Sequence, residues 1–444
     1  MKKFWTVLGL SSESVGNPFV RINIFALLVL IGALMELYVM SIGRDELLFF
    51  QLPIIWFFGG ILAGVAVIYY SLTSHYERPT LFPVNQVVNY FVFFSFAVIV
   101  MAYLTSLFYN SPPDPMKSDI IPTIQTMAQR LMNFDYPYYK VEYPGWSFEP
   151  GYLTMQYIPF VKAEILKIDY RTWAYIIFLG VMFLFVYRLN FRNDIYSWFW
   201  SLVMIGLPFL GIRLIMLYDA SIFMYSVELL DAAYYMFLVY SLFSKSNLLR
   251  AIAISCCLLS RYGIVIWLPA YAFIYYKEVG LKDTLRLSYM VIGMLLILYV
   301  LPFMTKEPNL FFKGLSNYDQ MAIGQWTNVP DWYAHIGKPY ILTQGLGFAI
   351  YFREFLQGEM IDRIEALKLV HLLSSLGIML LTILIYHFKR KRIKSIELYL
   401  AGSLILYLTV FYNFVFAPFS YLFLVPFFTT IAVLYKLPGF KYGS

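Results

Sequence analysis

Three ionisable residues stand where an apolar chain has least reason to keep them. Asp119 lies between Ser118 and Ile120-Ile121-Pro122. Glu228 interrupts Tyr225-Ser226-Val227-Glu228-Leu229-Leu230, and Arg261 falls within Leu259-Ser260-Arg261-Tyr262-Gly263. A carboxylate at a membrane edge can take a proton from a hydroxyl within hydrogen-bond reach. A guanidinium shielded from water can stabilise charge developing on a phosphate oxygen. Asp114 and Asp135 accompany Asp119, Arg213 stands near the end of an apolar run, and Asp219 and Asp231 flank Glu228. Charges this close to hydrocarbon are costly and tend to face a cavity or a partner.

Each has a plainer use, and both uses stand at this point. Asp119 could cap the helix that follows it, and Arg213 could snorkel to headgroups. Glu228 or Asp231 could be the structural partner of Arg213 or Arg261, and Arg261 could be a plain turn residue. Much of the tyrosine and tryptophan content suits an interfacial belt. Phosphate-binding, nucleophile-elbow, zinc-protease and paired-cysteine motifs are all missing. His75, His335, His371 and His387 are scattered, which argues against a dedicated metal cluster. No cofactor is called for, and the sequence leaves a divalent metal open.

The elements that must position these groups follow from composition. Of 444 residues, 61% are apolar and 13% charged, with a mean hydropathy of +0.68. Soluble domains carry roughly half apolar and about a quarter charged residues, so a water-soluble globule is excluded. Cys256 and Cys257 are adjacent, where a bridge would be strained and would close no useful loop. The expected class is an all-α polytopic membrane protein with about twelve membrane-embedded helices at ~20 residues each. The apolar runs are 22–40, 46–70, 87–108, 172–187, 197–217, 222–243, 248–259, 262–276, 285–304, 366–388, 396–414 and 421–435.

The net charge of +7 is distributed loop by loop and is no nucleic-acid footprint. On one side fall Lys2, Lys3, Arg21, Arg78, Arg188, Arg192, Lys245, Arg250, Lys277, Lys282, Arg286, the 389–394 run, Lys436 and Lys441. The positive-inside rule makes that side cytoplasmic, with both termini, and makes loops 109–171 and 305–365 exterior. No cleavable signal is read in the first 21 residues. Residues 248–276 have basic flanks at both ends, so they are read as two short helices turning at Ser260-Arg261-Tyr262-Gly263, with Arg261 at the exterior tip. In the first loop, Ile120, Ile124, Met127 and Leu131 share one helical face, which predicts an interfacial helix. A second amphipathic stretch covers 152–168. The second loop holds Trp326, Asp331, Trp332, His335 and Lys338, then an apolar piece at 341–355 too short for a span. No internal repeat is seen.

In this order the segments resemble the GT-C superfamily of integral-membrane glycosyltransferases, whose donors are polyprenyl-phosphate sugars. The resemblance covers 87–304. It rests on Ser118-Asp119-Ile120 followed by Ala128-Gln129-Arg130-Leu131, on Asn133-Phe134-Asp135-Tyr136-Pro137-Tyr138, and on Pro150-Gly151-Tyr152 through Tyr157-Ile158-Pro159. Tyr225–Leu230 and Leu259–Pro269 complete it. Two spans precede the core, and the acidic residue is a lone Asp119 without an Asp-Glu pair. The resemblance implies a catalytic core at 87–304; two extra spans with the N-terminus at 1–86, a departure from the family's layout, precede it, and a second exterior loop at 305–365 and C-terminal spans at 366–444 follow. It implies an inverting hexosyl- or pentosyltransferase, mannosyltransferase-like, in a bacterial inner (plasma) membrane. The implied partners are a polyprenyl-phosphate sugar donor, a glycan, lipid or protein acceptor, and membrane lipids. Asp119 is then the catalytic base and Arg261, with Glu228, the donor-phosphate site. Asp114, Arg130, Asp135, Tyr138, Tyr152 and Asp219 are further substrate-binding candidates. A lipid-linked oligosaccharide polymerase or ligase, and a lipid or sugar transporter, are the competing readings; transporters often carry internal repeats and midplane charges.

Overall fold

A computed structural model describes residues 20–42, 49–74, 83–187, 195–438 and 440–442. Lys2, Lys3, Arg78, Arg188 and Arg192 of the basic side, and His75, lie outside the described residues.

The chain opens with β1 (Val20–Ile22), α1 (Ile24–Ser41), α2 (Gln51–Thr73) and α3 (Pro83–Tyr109). The first loop contains α4 (Ile120–Met132), a small hairpin of β2 (Val141–Tyr143) and β3 (Trp146–Phe148), and α5 (Ile158–Leu166). Then come α6 (Tyr170–Val186), α7 (Ile195–Tyr218), the one-turn α8 (Ser221–Met224), α9 (Leu229–Leu242), α10 (Asn247–Ser260) and α11 (Leu268–Val279). Next is α12 (Leu281–Leu295), which continues as a π-helix over Leu296–Met304 around Pro302. The second loop holds α13 (Leu310–Thr327) and α14 (Ala349–Phe355), and the chain ends with α15 (Met360–Lys389), α16 (Ile396–Asn413), α17 (Leu424–Leu434) and β4 (Phe440–Tyr442). β4 pairs antiparallel with β1, so the two ends of the described chain lie side by side.

Among the described residues, seven helices are long and apolar enough to cross a bilayer, or eight if the bent pair α5–α6 counts as one span. Within the described residues each apolar run read from the sequence is mainly helical, but Leu229–Leu242, Asn247–Ser260 and Ser420–Leu434 are shorter than a crossing. The run 222–243 is not one helix: it breaks over 225–228, and Glu228 stands in the break. The second loop holds an eighteen-residue helix, α13, that the sequence reading did not place.

The helix starts show why these boundaries fall where they do. Asn23, Asp169, Ser246 and Ser395 each accept a hydrogen bond from a first-turn backbone N–H, satisfying donors that a helix start leaves open. The helix expected in the first loop is α4; of the expected face Ile124 and Met127 are buried, with Ile121 and Ala128 beside them, while Ile120 and Leu131 are half-buried. Lys167 adopts a left-handed conformation (φ 53°) after α5, and the chain turns by 111° into α6. The expected turn of the 248–276 pair is also present. Arg261 is extended after α10, and the Tyr275 hydroxyl donates to Asn247 Oδ1 at 2.6 Å, so the far ends of α10 and α11 meet.

α9, α16 and α17 are buried nearly all round, as befits apolar helices at the centre of a bundle. α1 packs on α2, and α2 on α16, through small residues. A Cβ on Gly32 would stand 2.5 Å from the Gly59 carbonyl oxygen, and one on Gly64 2.5 Å from Leu406.

Candidate functional site

The break at 225–228 is held open from outside the helix that carries it. The buried Arg171, at the start of α6, donates from Nη1 to the Met224 carbonyl at 3.0 Å and to the Ser111 carbonyl at 2.7 Å. Its Nη2 reaches the Phe108 carbonyl at 3.2 Å, and Asp169 neutralises it at 2.6 Å. One guanidinium thus joins the end of α3, the mouth of the first loop and the end of α8. Ser118 Oγ adds a second tie, donating to the Tyr225 carbonyl at 3.2 Å. These contacts bring the Asp119 segment beside the Glu228 segment.

Asp119 precedes α4 without capping it: its side chain makes no cap hydrogen bond. The plainer use foreseen for this residue is therefore not its role in the fold. It is half-buried, and burial pushes its carboxyl above the ordinary carboxylate range, offset in part by a backbone hydrogen bond. Tyr143, whose hydroxyl shares a 3.0 Å hydrogen bond with Thr123, is raised first by burial and also by the Asp119 charge. Tyr152 is raised well above the usual phenol range, first by burial and then by Asp119, while Arg261 acts in the opposite sense. Tyr152 therefore lies in the field of both charged candidates.

Arg261 meets two carboxylates. Its Nη2 donates to Glu228 Oε2 at 2.8 Å and its Nε to Asp231 Oδ2 at 3.2 Å. Both carboxylates are buried, whereas the arginine side chain keeps 26% of its surface exposed. Asp231 Oδ2 also accepts from Gln156 Nε2 at 3.2 Å, and the Tyr234 hydroxyl donates to the Met155 carbonyl at 3.0 Å. Those two bonds fasten the second half of the first loop to α9. Two of the five guanidinium N–H donors are committed to carboxylates; the Nη1 group makes no hydrogen bond among the described residues. The Tyr421 ring lies 6.0 Å away.

The other candidates divide. Tyr138 is buried, accepts from the Tyr157 hydroxyl at 3.4 Å, and lines a narrow cleft with Tyr262, Tyr299, Phe311 and Gly314. Arg130 donates to the carbonyls of Pro137 (3.2 Å), Tyr139 and Lys140 (2.9 Å), so its guanidinium shapes the loop that follows α4. Asp114 Oδ1 accepts from the Met116 N–H at 3.0 Å within its own turn, and Asp135 is exposed. Asp219 accepts from Ser221 and, at 3.5 Å, from Ser420. Arg213 stacks on the Tyr103 ring at 4.1 Å. Among the described residues no group of three or more His, Cys, Asp or Glu is placed to hold a metal ion.

Sequence reading missed the structural roles of Arg171 and Gln156. Arg171 stood in an exterior loop rich in charges, and only its burial in the fold distinguishes it. It also missed the cover: α13 lies against the first loop, with Gly314 facing Gly151, Lys313 paired with Glu149 at 3.2 Å and Asn317 donating to the Glu149 carbonyl at 3.0 Å.

Fold and cluster together define a multi-pass α-helical membrane protein with a polar, tyrosine-lined centre at one end of its bundle. No family model, curated protein or solved structure matches the chain.

Proposed function

We propose that the chain is a membrane glycosyltransferase of GT-C type, moving a sugar from a polyprenyl-phosphate carrier to an acceptor hydroxyl. One observation carries the reading: a half-buried carboxylate that makes no capping bond, Asp119, and a partly exposed guanidinium, Arg261, with N–H donors uncommitted among the described residues, both act by their charge on Tyr152. In the proposed reaction the acceptor oxygen attacks the anomeric carbon as its proton passes to Asp119. The bond from that carbon to the phosphate oxygen breaks, and the electron pair leaves with the carrier phosphate, whose charge Arg261 stabilises. A single displacement inverts the anomeric centre. Glu228 and Asp231 fix the guanidinium rather than bind the donor, which sharpens the role first expected of Glu228. Orientation follows the charge bias, with the cluster on the exterior face and the termini cytoplasmic.

The test is to incubate purified protein with a panel of radiolabelled polyprenyl-phosphate sugars. Release of free polyprenyl phosphate from one of them, lost in Asp119→Asn, supports the reading. No release from any donor in the presence of glycan, lipid and protein acceptors refutes it.

A second reading, a transporter, is favoured by Glu36. This carboxyl is fully buried within α1, and its one hydrogen bond among the described residues is a 3.4 Å contact from Thr430. Carboxyl groups inside spans often mark transport paths. Uptake of labelled sugar or lipid by proteoliposomes without glycosyl transfer would select it.

A further inference from the structure

The end of the bundle opposite the Arg261 cluster carries a second concavity. The C-terminal halves of α2 and α15 leave a groove of about 390 Å³ between them, walled by Val65, Tyr69, Leu381, Leu384 and Phe388, with Lys389 at its rim. α15 ends there beside the end of α11, since Arg390 pairs with Glu278 at 3.0 Å and Tyr386 also bonds that carboxylate. The α10–α11 turn with Arg261 lies at the other end of those helices.

Past Lys389 the chain continues as Arg390, Lys391, Arg392, Ile393 and Lys394, all but Ile393 exposed. This basic turn is anchored to the groove. The backbone N–H of Lys394 donates to the Ser71 carbonyl at 2.8 Å and its Nζ to the Thr73 carbonyl at 3.1 Å, which satisfies the end of α2. Arg390 is committed to Glu278, but Lys389, Lys391 and Arg392 have no ion-pair partner among the described residues. A channel walled by aliphatic and aromatic side chains between two membrane helices therefore ends at a fixed turn whose Lys389, Lys391 and Arg392 have no carboxylate partner among the described residues. Basic pockets between spans recruit anionic headgroups through this pairing of hydrocarbon and charge.

We propose that the groove holds an acyl chain of an anionic glycerophospholipid, with its phosphate against Lys389 and the turn that follows. A zwitterionic lipid offers the same chains but brings its own cation to a site already rich in them. The inference does not depend on the reaction proposed above, because none of these residues belongs to that cluster.

Native mass spectrometry on the purified full chain tests it, with palmitoyl-oleoyl phosphatidylglycerol, the matching phosphatidylcholine and a polyprenyl phosphate titrated separately. Phosphatidylglycerol should bind at least about fivefold more tightly than phosphatidylcholine, and Lys389→Gln should weaken it about fivefold, the contribution of one surface cation. Leu384→Trp, which fills the groove from an exposed position, should displace both phospholipids, and Leu381→Trp serves if that variant does not fold. Equal affinity for the two phospholipids overturns the proposal. So does phosphatidylglycerol binding that survives both substitutions, or a polyprenyl phosphate that binds where phosphatidylglycerol does not.

Discussion

Arg261 Nη2 lies 2.8 Å from Glu228 Oε2, joining the turn after α10 to the break between α8 and α9. Because Nε of the same guanidinium also meets Asp231, the two buried carboxylates depend on one cation that is itself partly exposed. The cluster carries a formal excess of one negative charge, and its fate on substitution is the sharpest test of how the site is built.

Arg261→Ala should destabilise the protein by about 3 kcal/mol, the low end for leaving buried carboxylates uncompensated, because the arginine is partly exposed. Arg261→Lys should recover part of that, restoring charge but not the planar fork. The triple variant Arg261→Met, Glu228→Gln, Asp231→Asn should approach wild-type thermal stability while remaining inactive. If it regains turnover with stability, the phosphate role of Arg261 is wrong.

Asp119→Asn should lower turnover about 100-fold, a general base's usual share. Stability should not fall, because Asp119 makes no capping bond. The sign with pH follows from its raised carboxyl. The folded protein holds that proton more tightly than the unfolded chain, so the group's contribution is full below the unfolded value and is lost as pH rises through the folded one. Activity runs the other way, since only the carboxylate accepts a proton. The acid limb of kcat/KM should therefore lie above the ordinary carboxylate range and be absent from the residual activity of Asp119→Asn. Should Asp114→Asn or Asp135→Asn abolish turnover while Asp119→Asn retains it, the base is that other residue.

Arg171→Lys is expected to be far from conservative. A guanidinium here serves three backbone carbonyls and Asp169 at once, which an ammonium with three donors cannot reproduce. A loss of about 2 kcal/mol is expected, the scale for unsatisfied buried hydrogen-bonding groups. Proteolysis of the first loop should accelerate; unchanged cleavage in a folded variant would deny Arg171 its tie between α3 and α8.

Gly64→Leu should separate α2 from α16, because its first side-chain carbon already overlaps Leu406. A penalty of about 1–3 kcal/mol is typical of overpacking. Gly180→Leu, where a Cβ meets nothing within 4 Å, is the control and should leave the thermal midpoint unchanged.

Much of the architecture was legible in the chain because it is local. Long apolar runs must satisfy their backbone internally in lipid, so they become helices wherever they occur. The face shared by Ile120, Ile124, Met127 and Leu131 specifies α4, and the doubly basic flanks of 248–276 specify a turn near Arg261. The presence of a cation there, and of carboxylates at 119 and 228, was equally plain.

Which of these groups meet was decided by packing. Arg261 reaches residues thirty and thirty-three positions away, Gln156 reaches Asp231 across seventy-five, and Ser118 reaches Tyr225 across 107. Such pairings depend on where helices cross and how far each side chain extends, and neither hydropathy nor spacing encodes them. The same holds for Arg130, whose place in the sequence suited a ligand but whose donors were drawn to nearby loop carbonyls. The sequence alone determined that the chain lives in a membrane and where its charges interrupt the hydrocarbon. Tertiary structure decided which charge answers which, because a buried charge takes its partner from whatever the fold brings within about 3 Å.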